Sequence, residues 1–160
     1  MKIFCFAGWS KSGKTTLITQ LIKELKKKDK KVLAVKNISN KYSLEPESKD
    51  TFKFLESGAD KVCLIAKQEI LSMKKIKNKN EAIDILKSDF KNFDFLILEG
   101  LYIENIPLIE VFDSKTNNNL KFPIDRLSAI ASDRKLTDKI PCYKRDDINE
   151  IIKFMEDYNG

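Results

Sequence analysis

"FAGWSKSGKTT" (residues 6–16) places glycines at 8 and 13, a lysine at 14 and threonines at 15 and 16. The chain has 160 residues and only five glycines, yet two stand here, directly after an apolar run. The spacing from Gly8 to Thr15 fits G-x-x-x-x-G-K-[ST], the phosphate-binding P-loop. Each residue type has a physical reason. The chain must turn sharply with its backbone N–H groups aimed inward at phosphate oxygens. Glycine at 8 and 13 permits those backbone angles and removes the Cβ that would block the phosphates. Lys14 would carry a point charge to the β- and γ-phosphates, and Thr15 a hydroxyl to Mg²⁺. Ser10, Ser12 and Thr16 join the expected cradle. The helix that follows offers free N–H groups and the positive end of its dipole.

The flanking periodicity supports that reading. Residues 2–7 form an apolar run, a buried strand, and 14–27 carry Leu17, Ile18, Leu21, Ile22 and Leu25 at helical spacing. Further strands are predicted at 32–35, 61–66, 69–73, 95–98, 108–112 and 127–131, with 61–66 and 69–73 as a hairpin. Helices are predicted at 50–57, 81–90 and 147–157. Residues 39–48 read as a loop and 113–126 as a loop or hairpin. Strands alternating with helices, without repeat or linker, predict one α/β domain over 1–160: a P-loop NTPase three-layer fold with a largely parallel central sheet and flanking helices.

A phosphate loop needs a carboxylate near the metal, at the end of a neighbouring strand. "FDFLILEG" (93–100) supplies Glu99 at the carboxyl end, where ligands of open α/β sheets bind, and Gly100 lets the chain turn away. Asp94 lies at the other end and is set aside. Glu99 is expected to hold Mg²⁺ through water or to orient an attacking water, which makes Lys14 and Glu99 the catalytic pair. "ESKDT" (47–51) offers Asp50, which would equally suit a helix cap. The guanine-reading pattern N-K-x-D is absent: "NKYS" (40–43) and "NKNE" (78–81) do not follow strands. "AIASD" (129–133) does place Asp133 after a late strand, where its carboxylate would accept the N1 and N2 hydrogens that adenine lacks. A turn-stabilising role for Asp133 stands beside that one.

Composition removes other chemistries. With no histidine, there is no histidine base, Ser-His triad or histidine metal site. Three scattered cysteines give neither a disulfide framework nor a zinc site, and Cys5 and Cys63, inside apolar runs, are expected in the core. The net charge of +6 comes mainly from lysine runs at 23–31 and 74–80, without the interleaved aromatics of a nucleic-acid surface. No stretch approaches the roughly 20 apolar residues of a spanning helix, and "MKIFCFAGWS" lacks the form of a signal peptide, so a cytoplasmic protein is expected. Arg126, Arg134 and Arg145 are dispersed and make a poor phosphate lid.

Taken in order, these segments resemble the MobB family of molybdopterin-guanine dinucleotide biosynthesis adaptors. "FAGWSKSGKTTLITQLI", "AVKNIS", "EPESKDTFKFLESGAD", "FLILEG", "IASD" and the closing helix after "KRDDINE" carry the resemblance. It implies a P-loop protein that binds GTP with Mg²⁺, usually as a homodimer, with weak GTPase activity. It further implies help in attaching GMP to molybdopterin, a transfer made by a partner guanylyltransferase of the MobA type. By the same resemblance Lys36 and Lys49 join the nucleotide site and Asp50 joins Thr15 and Glu99 at the metal. Asn37 and Ser39 depart from the family's histidines, whose role does not carry over. The main competing reading is a P-loop small-molecule kinase using ATP. A metal-delivery GTPase lacks its ligands here, and a basic binding module would make the glycine motif an accident.

Overall fold

A computed structural model describes residues 1–38 and 50–159. In chain order the elements are β1 (Lys2–Ala7), α1 (Lys14–Lys27), β2 (Val32–Lys36), α2 (Asp50–Glu56), β3 (Val62–Ile65), β4 (Ile70–Met73), α3 (Lys79–Asp89), β5 (Phe95–Glu99), β6 (Leu108–Phe112), β7 (Ala129–Ser132), β8 (Cys142–Lys144) and α4 (Ile148–Asp157). The expected loop at 39–48 lies outside the described residues. The chain forms two compact units, residues 1–37 with 89–160, and residues 38–88.

The first unit is built on a six-stranded sheet in the order β2-β5-β1-β6-β7-β8. Every neighbouring pair is parallel. β1 and β5 lie in the interior of the sheet, and their apolar sequences follow from burial on both faces. Phe4, Phe6, Phe95, Ile97, Ile109, Val111, Ala129 and Ala131 form one core with Leu17, Leu21 and Leu25 of α1 and Ile151, Ile152 and Met155 of α4. This is the largely parallel, helix-flanked α/β architecture that the sequence predicts.

β8 is the element that sequence periodicity misses. It is three residues long, has one polar end, and pairs only with β7. Its place is given by the edge that β7 offers rather than by its own pattern.

In the second unit, β3 and β4 form the expected antiparallel hairpin, with Ile65 opposite Ile70, and α2 packs on β3. Among the described residues neither strand pairs with a third. Ile65 is 82% exposed and Ile70 71%. Cys63 corrects the expectation of a core cysteine: it is exposed, because a two-stranded ribbon leaves a face uncovered. Cys5 is buried in β1 as expected, and burial pushes its thiol up to about 11. Among the described residues no helix is long and apolar enough to cross a membrane.

Candidate functional site

The site lies at the carboxyl ends of the strands of the first unit. β1 delivers the chain into the glycine loop, and the loop delivers it into α1. Gly13, the N-cap of α1, has φ +89°, a left-handed conformation that glycine adopts without strain. No side chain caps this helix and its first turn holds no acid. Its leading N–H groups and positive dipole end are therefore open to an anion. Gly8 has φ +143°, and a Cβ there would stand 2.3 Å from the Val111 carbonyl oxygen of β6. The neighbouring strand, then, forbids a side chain at position 8.

Lys14 folds back across its own loop. Its Nζ donates to the Gly8 carbonyl at 3.2 Å, the Trp9 carbonyl at 2.5 Å and the Ser12 hydroxyl at 3.4 Å. Burial lowers its pKa below the ordinary lysine value, Glu99 opposes that shift, and Lys121 and Lys36 add to it. Ser12 is buried, whereas Ser10 and Thr16 are exposed.

The ends of β1, β2 and β5 converge on Glu99. Thr15 donates its hydroxyl to Glu99 Oε1 at 2.8 Å, and Lys36 Nζ lies 3.4 Å from the same oxygen. The strand register explains the second contact, since Lys36 and Glu99 are paired neighbours. Asn37 fastens the turn beyond, with its N–H on the Glu99 carbonyl at 2.9 Å and its side-chain amide on the Gly100 carbonyl at 3.0 Å. Asp94, at the opposite end of β5, instead accepts from the Lys31 N–H.

A cleft of about 550 Å³ lies at the start of α1, lined by Gly13, Thr16, Asp133, Lys144, Arg145 and Asp146 among others. Asp133 follows β7 as expected. Its carboxylate accepts the Ser114 N–H at 2.9 Å and the Ser114 hydroxyl, and these donors hold its pKa below the usual aspartate range. Arg145 is the residue that sequence reasoning overlooked. Its Nη1 donates to the Ser12 carbonyl and to Asp113 Oδ2, each at 3.0 Å. The unseen β8 is what carries Arg145 there, beside β7. Arg134 does not line this cleft.

Glu110 was also passed over. It is fully buried in β6 and accepts the backbone N–H groups of Lys121 at 2.6 Å and Phe122 at 3.0 Å. Burial pushes its carboxyl pKa up, while those two donors oppose the shift. The available signal was one acid inside an apolar strand.

The remaining expected residues fall elsewhere. Lys49 lies outside the described residues. Asp50 opens α2 in the second unit, where its carboxylate meets Lys53 at 3.2 Å. Among the described residues no three acid or thiol side chains gather to hold a metal.

Comparison with known proteins follows this geometry. A family model described as "MobB: Molybdopterin guanine dinucleotide synthesis protein B" matches residues 3–133. The molybdopterin-guanine dinucleotide biosynthesis adapter protein of Escherichia coli (strain K12) is 26% identical over 167 residues, covering 99% of this chain and 95% of that protein. The protein of the same description from Haemophilus influenzae is 27% identical over 153 residues, covering 94% and 85%. The crystal structure of Bacillus subtilis MobB superposes with a TM-score of 0.69 at 19% identity, over 100% of this chain and 99% of that one. A crystal structure of molybdopterin-guanine biosynthesis protein B gives 0.68 at 21%, over 96% and 97%. The shared architecture is an α/β P-loop NTPase-like fold.

Proposed function

The chain belongs to the MobB family of molybdopterin-guanine dinucleotide biosynthesis proteins, and on that premise we propose that it binds GTP with Mg²⁺, hydrolyses it slowly, and serves as a cytoplasmic adapter. Its partner on this reading is a guanylyltransferase of the MobA type that acts on molybdopterin. One observation carries the nucleotide reading: the Thr15 hydroxyl meets the Glu99 carboxylate at 2.8 Å beside an uncapped helix start. A hydroxyl, a carboxylate and open backbone amides are the donor set that suits a hard cation carried by phosphates. Bound Mg²⁺, held by Thr15 and Glu99, would offset the charge of the phosphates.

The protein's own groups then divide the work. The amides of residues 8–16, Lys14 and the hydroxyls of Ser10, Ser12 and Thr16 hold phosphate oxygens. Thr15 and Glu99 hold the ion, and the family resemblance would add Asp50 to the metal ligands and Lys49 to the nucleotide contacts. Lys36 holds the Glu99 carboxylate in place through its ion pair. Asp133 reads the base by exchanging its Ser114 donors for the guanine N1 and N2 hydrogens. Slow hydrolysis fits the arginines: Arg145 is committed to Ser12 and Asp113, and Arg134 does not line the cleft, so among the described cleft residues no guanidinium is left for the transferring phosphoryl group.

Calorimetric titration with GTP and ATP, each with Mg²⁺, tests this reading. The expected result is a preference for GTP of about tenfold or more, because guanine offers its N1 and N2 hydrogens to the charged Asp133 carboxylate and adenine offers none. A preference for ATP would remove Asp133 as the base reader and favour the small-molecule kinase.

The homodimer is supported by the second unit. A two-stranded hairpin is marginal alone, and the side-by-side Ile65 and Ile70 call for a covering surface. A second copy of the chain supplies it on this reading. Ile65→Lys with Ile70→Lys should leave the far-ultraviolet circular dichroism unchanged and convert the dimer to monomer in sedimentation. A dimer that survives both charges would place the interface elsewhere.

A further inference from the structure

The nucleotide reading leaves one feature beside the glycine loop without a purpose. Trp9, the only tryptophan of the chain, is the residue after Gly8 and is 41% exposed. An indole contributes nothing to cradling phosphates, yet this one is firmly oriented. Its Nε1 donates to the Asn119 carbonyl at 3.0 Å. Lys121 Nζ lies over its ring, 5.6 Å from the centroid, and 5.9 Å from the ring of Phe122. Phe122 in turn meets Tyr102 with centroids 5.8 Å apart, and Tyr102 is 37% exposed. Arg126 Nη1 donates to the Tyr102 hydroxyl at 3.0 Å. The backbone under Lys121 and Phe122 is clamped by the buried Glu110 carboxylate. Trp9 and Phe122 thus both lie beside the Lys121 ammonium, with Tyr102 next to Phe122, and Trp9 with Lys121 makes a preorganised ledge.

The charges around the ledge favour an anion. Lys121 and Lys36 are both near enough to Lys14 to disfavour its protonation. Of the acids, Glu110 is buried and satisfied by amides, and Glu99 is engaged by Thr15 and Lys36. Glu104 and Asp125 face Arg126 instead. Flat rings stack on exposed aromatic faces, and the exposed Lys121 ammonium beside the indole is open to an anionic group.

We propose that this ledge binds a flat anionic heterocycle of the pterin-phosphate class, with its ring against Trp9 and its phosphate at Lys121. The pterin class rests on the adapter role proposed above; the ledge itself rests on the residues named. It gives the adapter a second small-molecule site adjoining the nucleotide loop.

Trp9 is its own reporter. Neopterin monophosphate is titrated into the full chain, with and without saturating Mg-GTP, and tryptophan emission is followed beside calorimetry. Saturable quenching is expected in both conditions, with at least ~10-fold weaker pterin-phosphate binding in Lys121→Ala and a much smaller change of Mg-GTP affinity in that variant. Inorganic phosphate and unphosphorylated neopterin should each bind far more weakly. Quenching equally produced by inorganic phosphate, or abolished by Mg-GTP, would overturn the proposal by assigning the probe to the phosphate loop. No quenching in a protein that binds Mg-GTP would overturn the ledge alone. If Mg-GTP also fails to bind while the pterin phosphate does, the nucleotide reading fails and the ledge stands. A Lys121→Ala variant that loses transferase capture but whose parent binds no pterin phosphate would make the ledge a protein interface instead.

Discussion

Lys14→Ala is expected to abolish Mg-GTP binding at concentrations that saturate the parent chain, a loss of at least ~100-fold. The side chain is a charged donor bent across the loop, with its three observed acceptors all in that loop. Hydrogen bonds to charged groups contribute about 1.5–3 kcal/mol each, and two of them transferred to phosphate oxygens account for that factor. The fold should survive, because Lys14 is the first residue of α1 and alanine is the better helix former. Circular dichroism and calorimetry on the same sample separate the two effects. Lys14→Arg should not rescue binding, since a broad planar guanidinium does not replace a compact ammonium in a tight loop. The pH dependence has a defined sign. Binding needs the protonated ammonium, and burial lowers its pKa from the ordinary 10.5. Affinity in the parent should therefore hold on the acid side and fade as pH rises through a value below 10.5. Binding that is retained in Lys14→Ala would end the P-loop reading.

Gly8→Ala is expected to destabilise the protein by about 3 kcal/mol or more, with or without nucleotide. The new Cβ would lie 2.3 Å from the Val111 carbonyl oxygen and 3.1 Å from the Ser12 hydroxyl. Val111 is fully buried in β6 between β1 and β7, so this backbone has nowhere to retreat. The left-handed φ of +143° adds strain to the clash. Gly58→Ala is the control. It also has a positive φ, +103°, but no atom lies within 4 Å of its Cβ, so it carries only the conformational cost, about 1 kcal/mol. Urea unfolding of the two variants checks the difference. Equal midpoints would mean that the β6 contact yields.

These expectations show which parts of the site a sequence displays. Lys14, Thr15 and Glu99 are legible because each is fixed by a local pattern: a loop spacing, a helix start, a strand end before glycine. The contact between Thr15 and Glu99 then follows from strand order. Arg145 is not legible, because it depends on β8, whose three residues have no periodicity and are held by pairing with β7. Glu110 is not legible either. Its partners are backbone amides at 121 and 122, and an amide leaves no trace in residue identity. Gly8 was expected for phosphate clearance, and the structure adds a second reason in the carbonyl of a strand that comes a hundred residues later in the chain. Cys63 misleads because "VCLI" reads like a covered strand, while its ribbon has only one partner.

The parallel order of the sheet also governs timing. The first strand made, β1, sits between β5 and β6, so Lys2 must wait for Phe95 and Cys5 for Leu108. During synthesis the apolar "IFCF" therefore leaves the ribosome long before its neighbours exist. The hairpin and helices of residues 50–88 close short loops and are free to form during that interval. The nascent chain thus needs protection at β1, and release of residues 95–112 is the event that ends the exposure.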